Sequence, residues 1–189
     1  MNKVILIGCL LLLSSCTRSP EPTLYVLNPL SQSTIKLERI KTAILIDDIN
    51  TPDYLDKSPL LLFANPEMGK LDEQHQWAEN PAHNIKQVLT QNLNTLLPKA
   101  DIELSPAPSY FTPKRHLSIT LNQLKMMQSG DVILSATYKY YQQDKCLIKR
   151  HVHYVKHVTE LSWNAKVTAL NDSLDLLSKD MALYLSKFP

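Results

Sequence analysis

Residues 117–188, LSITLNQLKMMQSGDVILSATYKYYQQDKCLIKRHVHYVKHVTELSWNAKVTALNDSLDLLSKDMALYLSKF, hold three extended segments followed by one long helical repeat. Leu117 to Met127, Val132 to Tyr141 and Cys146 to Val158 are rich in β-branched and aromatic residues in near alternation, which predicts strands. Ser129-Gly130-Asp131 and Gln142 to Lys145 supply the turn chemistry for two hairpins. The period then changes. Trp163, Val167, Leu170, Leu174, Leu177, Met181, Leu185 and Phe188 are spaced four, three, four, three, four, four and three, along one face of a long amphipathic helix. A stripe of this kind buries itself against a sheet and is core, not a ligand groove.

Working back toward the N-terminus, Asn80 before Pro81 fits an N-cap followed by proline at the first helical position. Ile85, Val88, Leu89, Asn92 and Leu96 keep a helical stripe from there until Pro98 ends it. Further upstream, Leu60 to Ala64 and Lys70 to Trp77 flank a turn at Gly69. Lys41 to Ile49 alternates, with Thr42, Ile44 and Ile46 on one face and Ala43 and Leu45 on the other, which predicts a central strand covered on both faces. Leu24 to Leu27 is a first short strand, broken by Asn28-Pro29. The expected class is α/β: a single mixed, largely antiparallel sheet packed against two main helices, an α/β sandwich over residues 24–189.

Composition narrows the function. A chain of 189 residues, 44% apolar and 20% charged, builds one core without metal or disulfide staples. It has three glycines, where average usage near ~7% would give about thirteen. Walker-A and dinucleotide turns need clustered glycines for close backbone approach to phosphate, so both are excluded. Twenty basic against eighteen acidic residues give a net charge of +2 with no single-sign block, which argues against nucleic acid as a partner.

Residues 1–15, MNKVILIGCLLLLSS, have the layout of a secretory signal: a basic start at Lys3, an apolar run from Val4 to Leu13, then small polar residues. A bilayer-spanning helix needs about twenty apolar residues, and this run is too short. Leu13-Ser14-Ser15-Cys16 resembles the lipobox of bacterial lipoproteins. That resemblance implies cleavage before Cys16 and a thioether lipid on its sulfur; the alternatives are an ordinary signal peptide or a cytosolic chain with an apolar first helix, with Cys16 incidental in either case. Residues 16–23 then form a lipidated N-terminus and a short tether. Thr17 stands where the inner-membrane retention signal of such lipoproteins typically has aspartate, so resemblance to that sorting rule points to the periplasmic leaflet of the outer membrane. Cys146 is left without an intramolecular partner and reads as a buried strand cysteine.

The candidate chemistry is thin. His151, His153 and His157 share a strand face with Lys149, a spacing that can reach zinc. No carboxylate joins them before Glu160, however, and Lys149, Arg150 and Lys156 oppose a divalent ion. A solvated basic face, able to meet anionic headgroups or an acidic partner, is the better reading. No Gly-x-Ser-x-Gly elbow is present. Asp47-Asp48 and Asp53/Asp56 are paired in sequence only, and turn capping explains them as well as acid–base work does. No catalytic residue, metal or cofactor is expected.

Two peptides fit neither a core pattern nor a generic loop: Thr51-Pro52-Asp53-Tyr54-Leu55-Asp56 and Gln76-Trp77-Ala78-Glu79-Asn80-Pro81. With the lipobox, the Leu24-Tyr25-Val26-Leu27 strand and the closing helix, they resemble the ABC-type transport auxiliary lipoproteins, the PqiC/YmbA-like subunits of membrane-integrity transporters. Pro52, Tyr54, Leu55 and Asp56 match that family's P-x-Y-L-D segment, and Trp77, Ala78 and Glu79 match its W-A-E-P-L segment. Asn80 displaces the family's proline to Pro81, and Gln76 stands where arginine is frequent. The resemblance implies a non-catalytic, outer-membrane-anchored subunit that works with a mammalian-cell-entry (MCE) domain transporter subunit in moving lipid between membranes. It leaves room for a homo-oligomer. It also makes Tyr54, Asp56, Trp77 and Glu79 candidate partner-binding residues. On residue chemistry alone, Tyr54 and Trp77 would pack on the sheet edge while Asp56 and Glu79 cap turns or the helix N-terminus. A second function fits the same sequence: a free-standing envelope lipoprotein that binds lipid, lipopolysaccharide or peptidoglycan directly.

Overall fold

The computed structural model describes residues 20–33 and 35–188. The signal segment, Cys16 and the start of the tether lie outside the described residues. Along the chain come β1 (Thr23–Tyr25), β2 (Ala43–Asn50), a 3-10 turn (Asp53–Asp56), β3 (Pro59–Phe63), β4 (Gly69–Trp77), α1 (Pro81–Leu96), β5 (Asp101–Leu104), β6 (Arg115–Met127), β7 (Asp131–Gln142), β8 (Lys145–His157) and α2 (Trp163–Leu185). The eight strands form one mixed sheet with both helices on one face, the sandwich that the alternating and helical periods imply.

Strand β6 organises the sheet. Strand β7 pairs antiparallel along one edge of β6, from His116↔Tyr141 to Met126↔Val132. The other edge is shared: β2 lies parallel beside Arg115 to Thr120, and β3 lies parallel beside Met126 and Met127. Beyond β2 sits β5, and beyond β3 sit β4 and β1. At the opposite margin, β8 pairs only with β7. The β6–β7 turn needs its glycine: Gly130 has φ of 96°, and a Cβ there would lie 2.4 Å from the Val158 carbonyl oxygen. The β7–β8 hairpin is tighter and puts Gln143 at a φ of 52°.

The closing stripe lands as its spacing requires, with Leu170, Leu174, Leu177, Met181 and Leu185 all buried against the sheet. Helix α1 starts as expected: the Asn80 side chain accepts from the His83 N–H at 2.9 Å, with Pro81 following. Strand β2 is central in its pairing, but the expected two-sided cover is corrected. Ile44 and Ile46 are buried under the helices, whereas Ala43 and Leu45 are only half-buried because the far side of the sheet has no second layer. A register shift between Ile46 and Asp48 also restarts the alternation, so that Ile49 turns inward and Asp47 and Asp48 outward.

An extended segment after β1 straps the two helices together. Leu27 exchanges two hydrogen bonds with the Asn84 side chain, at 2.8 and 3.2 Å, and the Leu30 N–H donates to Asn92 Oδ1 at 2.7 Å. Asn28 is held by Asn171 of α2 in the same reciprocal way. Asn92 is fully buried and spends its amide hydrogens on Asp175 and Ser178 of α2. These asparagines satisfy backbone groups that a burying strap would otherwise leave without partners.

Candidate functional site

The first motif peptide fills a gap in the sheet. Strand β2 leaves β6 after Thr120 and β3 joins it at Met126, so the backbone of β6 between them lacks a strand neighbour on that edge. Residues 51–58 bulge out as the 3-10 turn, closed by a Leu55 N–H bond to the Pro52 carbonyl at 2.9 Å. Tyr54 reaches back from it, and its hydroxyl accepts the Leu124 N–H at 3.0 Å. The Tyr54 ring meets Phe63 edge to face, with centroids 5.6 Å apart. Burial pushes the Tyr54 hydroxyl above its ordinary pKa, while the Leu124 N–H works the other way.

The second motif peptide docks beside it. The Trp77 N–H donates to the Ser58 carbonyl at 2.7 Å, and the Ala78 N–H donates to the Tyr25 carbonyl at 2.8 Å. Trp77 is buried and lines, with Tyr54, Pro59, Leu124, Met126 and Leu170, an apolar cavity of about 20 Å³. That volume is far below the ~300 to 1,000 Å³ of ligand pockets. Helix α1 packs against the 3-10 turn. Tyr54 and Trp77 are thus brought together beneath the surface, and they pack as residue chemistry suggests.

Asp56 and Glu79 differ from them. Both are exposed, and neither makes a hydrogen bond or ion pair among the described residues. The capping role considered for them is corrected: Asn80 caps α1, and the 3-10 turn has no side-chain cap. The corner therefore has an aromatic floor that completes the sheet and two carboxylates that face solvent.

A second constellation escaped the sequence reading. Asp72 of β4 accepts from the indole N–H of Trp163 at 2.9 Å and bonds His75 Nδ1 at 3.0 Å. His75 lies between Tyr25 and Trp163, with centroid distances of 6.0 and 5.6 Å. Desolvation of Asp72 is outweighed by the Gln74 N–H, Trp163 and His75, which hold its carboxyl below the usual range. No serine, threonine or cysteine bonds His75 among the described residues, so the Asp–His pair ties β1, β4 and α2 together without a nucleophile. The Asp72-x-x-His75 spacing was a visible signal, but Trp163 is 91 positions from Asp72.

The remaining candidates are dispersed. His157 pairs with Asp131 at 2.8 Å and His151 bonds Thr137 at 3.1 Å. Among the described residues no group of three His, Cys, Asp or Glu is placed to hold a metal ion. Asp47 pairs with His116 at 2.7 Å and Asp48 with Lys86 at 3.6 Å, so neither is poised beside the other for acid–base work. Cys146 is exposed rather than buried, near the start of a margin strand that pairs on one side only. No helix among the described residues is long and apolar enough to cross a membrane.

Comparison with known proteins gives the family and the fold. The chain belongs to the family of ABC-type transport auxiliary lipoprotein components, whose model matches residues 25–182. Among solved structures it is similar to a crystal structure of an uncharacterised protein at 17% identity and a TM-score of 0.72, covering 88% of this chain and 99% of the other. It is also similar to protein XCC0632 from Xanthomonas campestris, assigned there to the DUF330 family model. That likeness has 10% identity and a TM-score of 0.69, and covers 84% of this chain and 92% of that one. Both likenesses show the shared fold. No curated protein matches the sequence.

Proposed function

We propose that this chain is a non-catalytic subunit of an MCE-type, ABC-associated intermembrane lipid transport system, anchored in the periplasmic leaflet of the outer membrane through lipidated Cys16. On this reading residues 1–15 are removed, Cys16 carries the anchor, residues 17–23 are the tether and residues 24–189 are the folded domain. Membership of the transport auxiliary family supports it. Thr23 opens β1 only seven residues after Cys16, so an extended tether of at most about 25 Å keeps the domain near its leaflet. Several acyl chains make such attachment stable, since each buried CH₂ contributes about 0.8 kcal/mol.

The observation that carries the docking role is the corner just described. Asp56 and Glu79 face solvent without partners while Tyr54 and Trp77 hold the backbone beneath them rigid. Exposed carboxylates on a fixed frame contribute little to stability and much to partner choice. The small size of the cavity between Leu170 of α2, the 3-10 turn and the sheet fits this role better than lipid carriage.

One observation favours direct lipid binding as a second reading: an apolar surface groove of about 330 Å³ beside α2, lined by Ile35, Leu37, Leu176 and Leu183. Co-purification from membranes with the MCE-domain subunit, before and after Cys16→Ser, tests the first reading. The expected result is a stable complex with the native chain and release of the Cys16→Ser chain from the outer-membrane fraction. Retention of the variant there at native level would overturn the anchor. Lipid recovered with the protein in the absence of any transporter subunit would favour the second reading.

A further inference from the structure

The far face of the sheet, opposite the helices, holds a basic cluster that the corner site does not use. Register places Lys139 of β7 directly across from Lys149 of β8, Thr137 across from His151 and Ser135 across from His153. The same rows continue onto β6 as Ser118 and Thr120, beside Lys139 and Thr137. None of these positions is a carboxylate.

The pairing of basic side chains on the helix side and at the far end of β8 makes the contrast. Arg150 and Lys156, on the helix side, meet Asp180 and Asp172 of α2, and His157 at the strand end meets Asp131. Lys139, Lys149 and His153 have no hydrogen bond or ion pair among the described residues, and His151 has only the Thr137 hydroxyl. The nearby acid Asp47 is already engaged by His116. Like charges directly opposite in an antiparallel pair destabilise it, so the Lys139–Lys149 pair costs the isolated fold. Charge left unbalanced on a face that neither helix covers is complementary to carboxylates supplied from outside.

We infer that this open face of β7 and β8, centred on Lys139, Lys149, His151 and His153, is a docking surface for an acidic protein partner. It is separate from the Asp56–Glu79 corner, which presents the opposite charge. A protein is chosen over a bilayer because Lys139 is half-buried between Ser118 and Lys149, so a carboxylate side chain that reaches between the strands meets it more closely than a plane of headgroups does. A vesicle measurement checks that choice separately.

The test is binding of the full chain to polyglutamate and to phosphatidylglycerol-containing vesicles. Lys139→Glu with Lys149→Glu is expected to weaken polyglutamate binding by about tenfold or more. The same double reversal at Lys36 and Lys99, exposed lysines outside this face, should leave it unchanged. The single change Lys139→Glu separates docking from folding, because it puts a carboxylate opposite Lys149: binding should fall while the melting temperature holds or rises. No polyglutamate binding by the native chain, or an equal loss from both double reversals, would overturn the proposal. So would vesicle binding that exceeds polyglutamate binding and is lost on the Lys139/Lys149 reversal, since the face would then be a membrane contact.

Discussion

Strands β7 and β8 show two faces made by the same residues in alternation, and the two faces treat charge in opposite ways. Toward the helices lie Leu134, Ala136, Tyr138, Tyr140, Ile148 and Val152, all buried, and the charged groups among them have partners. The Tyr138 hydroxyl donates to Asp180 at 2.8 Å, Arg150 joins the same carboxylate at 3.4 Å, and the Arg150 guanidinium lies 3.6 Å from the centre of the Tyr184 ring. Toward solvent lie Lys139, Lys149, His151 and His153, without a carboxylate among them. Desolvation explains the first arrangement, since a charge taken out of water must have a partner built into the fold. The second face is under no such pressure, so its charges are free to be set by what the molecule meets.

The largest effect that sharpens this contrast comes from emptying the helix side. Leu174→Ala and Leu177→Ala should each cost about 2 to 5 kcal/mol, because both leucines are fully buried and leave cavities. Val155→Ala on the open face, where the side chain is 57% exposed, should stay within about 0.5 kcal/mol. Urea titrations of the three variants check it. Comparable losses at all three positions would mean that the open face is covered in solution.

Next in size is the polar network. Asp180→Ala removes the acceptor of Tyr138 and the counter-charge of Arg150, and should cost about 1 to 3 kcal/mol. Asp172→Ala removes only the half-exposed partner of Lys156 and should cost under about 1 kcal/mol. The same network predicts an alkaline limit. Burial pushes Tyr140 and Tyr154 up to about 12, and Tyr138 higher still, where the Asp180 carboxylate adds to the burial. A hydroxyl whose folded pKa is raised contributes stability that is complete below the unfolded value near 10 and lost as pH rises through the folded one. Stability should therefore fall from about pH 10 toward pH 12. Denaturation midpoints recorded beside tyrosinate absorbance check this, and a midpoint that rises across that window would break the account.

Legibility in the sequence followed how local each signal is. Helix α2 was readable because every member of its stripe repeats the same geometry, and α1 because Asn80-Pro81 announces its start within two residues. Strand β5 went unread: Asp101 to Leu104 is four residues long, and only contact with β2 makes it a strand. The outward turn of Asp48 was equally hidden, since the register shift answers to β6 and not to β2 itself. Asn92 was visible on the apolar stripe, but its purpose lies 62 positions away at the Leu30 N–H. At the candidate corner, the motifs marked Tyr54 and Trp77 without revealing what they do. Tyr54 is needed because two strands leave a gap beside Leu124, 70 positions downstream.

That gap gives a smaller prediction. Tyr54→Phe keeps the ring on Phe63 but leaves the Leu124 N–H without its acceptor, and should cost about 1 kcal/mol. Hydrogen exchange at the Leu124 amide reads the same event directly, and protection unchanged from the native chain would mean that another group or water fills the gap.

The smallest effect on stability, and the most informative for function, is expected at Asp56 and Glu79. Neither carboxylate has a partner to lose, so Asp56→Lys with Glu79→Lys should move stability by no more than about 0.5 kcal/mol. If the corner docks a transporter subunit, the same reversal should weaken co-purification with that subunit, because opposed charge at an interface is read as partner choice rather than as fold stability. The open basic face supplies the control. Reversing Lys139 and Lys149 changes charge by the same amount in the opposite sense on the other side of the molecule, so a partner lost equally through both double variants is responding to net charge and not to either surface. Loss confined to the Asp56/Glu79 reversal assigns the transporter contact to the corner. Loss confined to Lys139/Lys149 moves it to the sheet face, and normal recovery with both removes these carboxylates from the site.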